Sequence, residues 1–305
     1  MGKRWAKAVG TVLAAALCAP LGAGCAAEKS EFTVTIFSDV HHGDYNYNDF
    51  ACTDGLKKLE KILIETPESE FYVNLGDMVD YLKDGKTDFY DEVAAVLRGH
   101  NLNLYHPEEK NYAAGGRTIY NLMGNHEAAF IRKAELSDYI PYVEGVGSVY
   151  SFRHGGILFL AIDANFDRET GSDEPSVLRT STKFILPEAV LNWAAAETAA
   201  KMDDGVKGIV WLSHIAFKDI ENESRFRLVF ELNKYGVPLT VFEGHTHAEA
   251  FDEWYDDDNP DRTLVTIYTL PAVTSGATYK YYNVTFSEGK VKQIDKHLSA
   301  AIDAS

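Results

Sequence analysis

The sequence predicts an α/β protein, and two observations carry that prediction. Short apolar segments alternate with segments of helical periodicity over the first part of the chain, in the order β-α-β-α-β. This order is typical of a parallel sheet with helices on its faces. Several of the predicted strands are followed directly by residues that can bind a metal ion. Because ligands of open α/β sheets bind beyond the carboxyl ends of the strands, we expect the functional site there.

The first part of the chain contains three predicted strands and two predicted helices. Apolar residues recur on one face of each helix, and the strands are apolar with some alternation. The strands are predicted at 32–38, 71–75 and 118–123, and the helices at about 54–65 and 88–98. The segment 101–117 is interpreted as a loop. The order of these elements predicts one sheet layer that is covered by helices.

The second part of the chain predicts a hairpin, two strands and two helices. The hairpin is expected at 149–152 and 157–162, the strands at 209–212 and 239–242, and the helices at about 187–202 and 222–235. The polar segment 166–183 is interpreted as a long loop and a candidate rim of the site. The tail 248–297 alternates with period two, which predicts several antiparallel strands. The whole order resembles a four-layer α/β/β/α sandwich of two mixed sheets flanked by helices.

The bulk composition limits the classes of partner. The chain has 305 residues, of which 46% are hydrophobic, and its formal net charge is −17. Nucleic acid is not expected as a partner, because phosphate backbones are bound by Lys and Arg. The simplest interpretation of the acidity is that it keeps an exported protein soluble. An anionic substrate would then be attracted locally, and bound dications can do this.

Residues 1–25 are typical of a signal peptide and not of the fold. A positive segment (Lys3, Arg4 and Lys7) precedes an apolar segment at 8–19 that is too short to span a bilayer. Small residues at 22–24 then precede Cys25. This resembles a bacterial lipoprotein signal, in which Cys25 becomes the lipidated N-terminus, although Leu21 stands four residues before the cysteine instead of three.

We therefore expect residues 1–25 to be a signal segment and residues 26–305 to form one domain. The protein is expected to be exported to the cell envelope and attached to the membrane through lipidated Cys25. The alternative is ordinary cleavage near Ala26 and Ala27, which would give a secreted or soluble periplasmic protein.

Four short motifs and one separate histidine follow predicted strands. The motifs are Asp39-x-His41, Gly76-Asp77-x-x-Asp80, Gly124-Asn125-His126-Glu127 and Gly244-His245-x-His247, and the separate histidine is His214. Carboxylate, amide and imidazole groups bind hard and borderline dications. The ligand-type residues of this set are Asp39, His41, Asp77, Asn125, His214, His245 and His247. A single histidine after a strand is usually structural, but a set of this size is consistent with a dinuclear metal site.

These motifs, in this order, resemble the calcineurin-like metallophosphoesterase superfamily from about residue 32 to residue 285. The resemblance implies that one metal ion is held by Asp39, His41, Asp77 and His247. It implies that a second ion is held by Asp77, Asn125, His214 and His245, with Asp77 as the bridge. It also implies that His126 contacts the substrate and protonates the leaving oxygen, and that Asp80 orients His126. The motif glycines 76, 124 and 244 are expected where the backbone turns sharply or approaches a neighbour closely.

The resemblance further implies an enzyme that hydrolyses a small phosphomonoester or phosphodiester by attack of metal-bound hydroxide. The cofactors would be two divalent or transition metal ions, and Mn, Fe and Zn all suit these ligands. Protein Ser/Thr phosphatases have Arg-Gly after the second motif, where this chain has Tyr81-Leu82, and purple acid phosphatases have Tyr in place of Asp80. Both subfamilies are therefore disfavoured. The alternative function is a surface lipoprotein that binds a ligand or partner and uses the metals structurally.

Overall fold

The computed structural model describes residues 31–43, 54–80, 87–107, 116–203, 205–274 and 278–301. The predicted signal segment with Cys25, the pair Tyr81-Leu82, and part of the predicted loop 101–117 lie outside these residues. Within the described ranges, none of the helices is long and apolar enough to cross a membrane.

The elements of the described residues form two sheets with helices on their outer faces. The strands are β1 (Glu31–Phe37), β2 (Phe71–Asn74), β3 (Leu102–Leu104), β4 (Arg117–Asn121), β5 (Tyr150–His154), β6 (Ile157–Ala161), β7 (Gly208–Ser213), β8 (Leu239–Glu243), β9 (Ala250–Asp256), β10 (Asn259–Thr269), β11 (Thr278–Ser287) and β12 (Lys290–Ala301). The α-helices are α1 (Gly55–Glu65), α2 (Asp88–Gly99), α3 (Asn125–Ala128), α4 (Pro175–Leu178), α5 (Glu188–Lys201) and α6 (Asn222–Asn233).

Both sheets are mixed, as the sequence predicts. The first has the order β12-β11-β1-β2-β4-β3 and the second has the order β5-β6-β7-β8-β10-β9. In the first sheet β1 is parallel to β2 and antiparallel to β11. In the second sheet β6, β7, β8 and β10 are parallel. Each sheet therefore has a parallel centre, whose strands all end at the same edge.

Two hydrophobic clusters hold the four layers together. The inner faces of the sheets pack on each other through fully buried residues such as Val34, Phe159 and Leu212. The outer faces, represented by Tyr72 and Trp211, belong to the cluster that includes the apolar faces of the helices. Complete burial of one such side chain contributes about 1.5–3 kcal/mol. The apolar strand segments are therefore buried on both sides, which is why they show only weak alternation.

Three predictions about secondary structure need correction. The segment 101–117 is not entirely a loop, because Leu102–Leu104 forms β3 beside β4. The segment 166–183 contains the short helix α4, which begins with a proline. The tail does form antiparallel hairpins, but β10 lies parallel to β8, and the β11–β12 hairpin joins the first sheet. Strands and helices of three or four residues are too short to produce a periodic pattern.

Candidate metal centre

Strand ends of both sheets bring the predicted site residues to one edge of the sandwich. Asp39 and His41 follow β1, Asp77 follows β2, and Asn125 begins α3 just after β4. In the second sheet, His214 follows β7, and His245 and His247 follow β8. The loops after β1 and β2 run side by side, because the Asp39 N–H donates to the Gly76 carbonyl at 3.0 Å and the His41 N–H donates to the Asp77 carbonyl at 2.9 Å.

A first group of ligand-type atoms comes from Asp39, His41, Asp77 and His247. Each residue contributes one ligand-type atom, and these four atoms all lie within 4.8 Å of one another. The Nε2 atoms of His41 and His247 are 3.0 Å apart, and Oδ1 of Asp39 is 3.3 Å from Nε2 of His247. Oδ1 of Asp39 is buried and has no hydrogen-bond partner among the described residues. An unsatisfied buried acceptor beside two facing ring nitrogens fits a cation.

A second group surrounds the side-chain oxygen of Asn125. Its Oδ1 is 2.9 Å from Nε2 of His214 and 2.8 Å from Nδ1 of His245. Oδ2 of Asp77 is 3.2 Å from the same His214 nitrogen. Nδ1 of His214 lies 3.1 Å from the Leu75 carbonyl and can donate to it, which leaves Nε2 directed at the group. Asp77 therefore contacts both groups.

His126 and Asp80 form a pair beside the two groups. Nδ1 of His126 is 2.6 Å from Oδ1 of Asp80, and Nδ1 of His41 is 3.2 Å from the same oxygen. The side chain of His126 is 24% exposed, whereas those of His41 and His214 are 4% and 0% exposed. His126 therefore lies next to the ligand-type residues and is more accessible to solvent than His41 and His214, although the side chain of His247 is 29% exposed.

The backbone is strained at five of these residues. Asp39, His41, Asp77, His245 and His247 have φ values of 60°, 48°, 50°, 69° and 58°. This left-handed conformation costs a residue with a Cβ atom about 1–2 kcal/mol. Such strain persists only where the surrounding structure enforces it, and it concentrates at functional sites.

The motif glycines lie where a side chain has no room, as predicted. Gly76 has a φ of 113°, which favours glycine. A Cβ atom on Gly124 would be 2.0 Å from Oδ1 of Asp77, and one on Gly244 would be 1.9 Å from Oγ of Ser38. These two glycines are therefore required by the close approach of neighbouring loops.

Burial and neighbouring charges shift the pKa values of the site in opposite directions. Burial, together with the charge on His214, lowers the pKa of His245 to about 4. Burial alone would also lower the pKa of His214, but the charge of Asp77 outweighs it and raises this pKa to about 9. For Asp80, the effect of burial is outweighed by hydrogen bonds from His126 and His41, which hold its pKa at about 2. Because an imidazole must be neutral to bind a metal ion, an ion at His214 would displace its proton.

Two buried glutamates, neither of which has a role predicted from the sequence, support the ligand loops. Glu127 accepts hydrogen bonds from the loops after β2 and β4. Glu243 accepts from the backbone N–H of Phe217, three residues after His214, and from the hydroxyl of Thr269 at 2.7 Å. One feature of the sequence could have indicated a buried, supporting role. An acidic residue that adjoins a ligand residue and is followed by apolar residues, as Glu127 is followed by Ala128 and Ala129, is expected to be buried.

Strand ends that bring carboxylates, an amide and several imidazoles together are typical of metal-dependent hydrolases. Comparison with protein families agrees with this class. The family described as Calcineurin-like phosphoesterase matches residues 32–249, and the chain belongs to that family. The family is one of phosphoesterases, and the chain carries a group of Asp and His residues that could hold a metal ion.

Comparison with solved structures found similar chains at low sequence identity. The sulfate thiohydrolase SoxB of Thermus thermophilus, in complex with glycerol, is 14% identical with a TM-score of 0.44, and the match covers 87% of this chain and 55% of that one. The NAD nucleotidase of Haemophilus influenzae is 15% identical, with a TM-score of 0.47 and coverage of 88% and 50%. A 5′-nucleotidase precursor, also from Thermus thermophilus, is 15% identical, with a TM-score of 0.45 and coverage of 87% and 54%. The chain spans about half the length of these proteins. Comparison with curated protein sequences found no match.

Proposed function

We propose that this protein is an exported dinuclear-metal phosphoesterase that hydrolyses a small phosphomonoester or phosphodiester. The observation that carries the proposal is the position of Asp77 between the two groups of ligand-type residues. Its Oδ2 lies 3.8 Å from Nε2 of His41 in the first group and 3.2 Å from Nε2 of His214 in the second. A carboxylate shared between two sets of ligands suits a pair of neighbouring ions.

The contacts within the two groups support an assignment of the ligands. Asp39, His41, Asp77 and His247 would hold one ion, and Asp77, Asn125, His214 and His245 would hold the other. The mixture of oxygen and nitrogen ligands suits Mn, Fe or Zn. When bound, two such ions lower the pKa of water and neutralise the charge that develops on a phosphoryl group.

His126 supplies the proton for the leaving oxygen in this proposal. Its Nδ1 faces the carboxylate of Asp80 at 2.6 Å, so that carboxylate fixes the orientation of the ring. The other ring nitrogen, Nε2, lies 3.9 Å from Oδ2 of Asp77. Nε2 can therefore hold a proton beside the ligand groups and donate it to a substrate oxygen.

Export rests on the sequence of residues 1–25, which lie outside the described residues. The positive segment, the short apolar segment and the small residues before Cys25 support a lipid anchor at that cysteine. A cleavage site near Ala26 and Ala27 would instead release a soluble protein outside the cytoplasm.

The test is a turnover assay on protein that is stripped of metal and reloaded with Mn²⁺, Fe²⁺ or Zn²⁺. The substrates are p-nitrophenyl phosphate and bis(p-nitrophenyl) phosphate, together with a panel of natural phosphoesters. We expect metal-dependent hydrolysis that Asp77→Asn abolishes and Asp203→Asn leaves unchanged, because Asp203 is an exposed partner of Arg153. If the reloaded protein hydrolyses no member of the panel, the alternative of a ligand-binding lipoprotein with structural metals replaces this proposal.

A further inference from the structure

The carboxylate of Glu127 lies between the loops that follow β2 and β4. Its side chain is completely buried. Oε2 accepts from the backbone N–H groups of Gly124 at 2.9 Å and Asp77 at 3.1 Å. Oε1 accepts from the backbone N–H of Val79 at 3.1 Å and from the hydroxyl of Tyr90 at 3.0 Å. A single side chain therefore binds both loops from the inside.

These bonds fix parts of the backbone that the sheet does not hold. The N–H groups of Asp77, Val79 and Gly124 lie beyond the last paired residues of β2 and β4. A buried N–H without a partner is costly, and a carboxylate has lone pairs for about four donors. Glu127 thus satisfies three N–H groups that have no other partner among the described residues, and it links the two loops.

We propose that Glu127 is a positioning residue that fixes Asp77 relative to Asn125 and so determines how tightly the centre binds its metal ions. The inference rests on the proposed function, because it takes these two residues as ligands. Asp77 has the strained φ of 50°, so its conformation depends on bonds of this kind. Without them, Asp77 keeps the bonds from the His41 N–H to its carbonyl and from the His126 N–H to its Oδ1, and we expect its strained backbone and carboxylate to shift relative to Asn125.

A direct role of Glu127 in the reaction does not fit its surroundings. The residue is 0% exposed, and both carboxylate oxygens already accept two hydrogen bonds each. The loops pack so closely that a Cβ atom on Gly124 would be 2.6 Å from Oε2 of Glu127. Glu127 therefore acts through Asp77 and Asn125 and not on the substrate.

The test compares Glu127→Gln with Tyr90→Phe in otherwise intact protein. The glutamine has the same shape, but its amide N–H₂ must face backbone donors. In the place of Oε2 it loses the bonds from Gly124 and Asp77, and in the place of Oε1 it loses the bond from Val79. Tyr90→Phe removes one hydroxyl donor and leaves the three backbone bonds in place. The dissociation constants for Mn²⁺ and Zn²⁺ are measured by competition with a chelator, and kcat is measured at saturating metal. Mutation of a residue that supports a metal ligand typically lowers the affinity for the metal by about 10–100-fold.

For Glu127→Gln we expect metal binding to weaken by about 10–100-fold and kcat to recover to within about threefold at saturating metal. Tyr90→Phe should bind metal within about threefold of the wild-type protein, since most of the bonds remain. A folded Glu127→Gln protein with wild-type metal affinity would overturn the proposal, as would a loss of kcat that excess metal does not restore.

Glu127→Asp keeps the charge but is one methylene shorter, so it cannot reach both loops equally well. If Glu127→Gln does not fold, the proposal is tested by the metal affinity of Glu127→Asp. We expect this variant to bind metal more weakly than the wild-type protein does. If neither variant folds while Tyr90→Phe does, Glu127 serves the fold as a whole and the proposal is wrong. Failure of the proposed function is a separate result, since wild-type protein would then bind metal without hydrolysing phosphoesters.

Discussion

Oδ1 of Asp80 lies 2.6 Å from Nδ1 of His126. The same oxygen is also 3.2 Å from Nδ1 of His41, a residue of the first ligand group. One carboxylate therefore orients both the proposed proton donor and a proposed metal ligand, whose Nε2 atoms are left to face the site. Removal of His126 should therefore affect turnover alone, whereas removal of Asp80 should affect both turnover and metal binding.

His126→Ala should keep near-normal metal content and lose turnover. A positioned general acid contributes about 10²–10⁴-fold to rate, and we expect a loss of that size on substrates with poor leaving groups. The loss should shrink for p-nitrophenyl esters, because a good leaving group needs little protonation. Metal analysis and kinetics on both kinds of substrate check this. Loss of a metal ion would make His126 a ligand, and equal slowing of both substrates would assign it to phosphate binding.

Asp80→Ala should reduce turnover less than His126→Ala, because the imidazole remains and only its orientation is lost. Unlike His126→Ala, it should also weaken metal binding, since His41 loses the partner of its Nδ1 atom. Chelator competition and kcat at saturating metal separate the two effects. Unchanged metal affinity in this variant would show that the contact with His41 is incidental.

Asp77→Asn should lose metal and activity together. The substitution keeps the shape of the side chain but removes the charge that the two ligand groups share, as its contacts with His41 and His214 indicate. Metal content per chain after gel filtration, measured beside turnover, is the appropriate assay. A variant that retains two tightly bound ions would contradict the bridging role.

Cys25→Ala should abolish lipid attachment. The prediction follows from the signal-like residues 1–24 and the position of the cysteine after them. Membrane fractionation and labelling with a fatty-acid analogue in a bacterial host are the measurements. If both are unchanged in the variant, the lipoprotein interpretation is wrong.

Lys133→Ala should destabilise the protein far more than Lys183→Ala. The side chain of Lys133 is 1% exposed, and its Nζ lies 2.7 Å from Oδ2 of Asp163, whose side chain is 0% exposed. Breaking a buried pair costs about 3–5 kcal/mol, because the remaining charge stays buried without its partner. The exposed pair of Lys183 with Asp219 should be worth at most about 1 kcal/mol. Urea unfolding of the metal-free proteins gives both values, and equal losses would refute this argument.

The candidate site could be predicted from the sequence because its residues stand directly after apolar strands. The positions of Asp39, Asp77 and His245 follow from strand ends and from the glycines beside them, and these are local signals. The first two helices could also be predicted, since α1 and α2 extend over about three turns and carry a visible apolar pattern on one face.

Other features depend on contacts between distant segments. The left-handed backbone at His41 and His247 is set by neighbouring loops, and no local pattern of residue types indicates it. The role of Glu127 depends on the two loops that lie beside it. These loops are neighbours because β2 and β4 are adjacent in the strand order, and a local sequence pattern does not indicate this. The three-residue strand β3 is too short for its own sequence to reveal.

The pairing of β1 with β11 joins the strand before two site residues to a strand that is distant in sequence. Thr33 on β1 and Thr285 on β11 are 252 residues apart in sequence, yet their hydroxyls are 2.8 Å apart. Contacts of such long range form slowly, because the chain must close a large loop first. The strand that leads to Asp39 and His41 therefore gains its second neighbour only after residue 287 has been made. The strand beside the candidate metal centre is therefore complete in its pairing only when β11, which is distant in sequence, has packed against it.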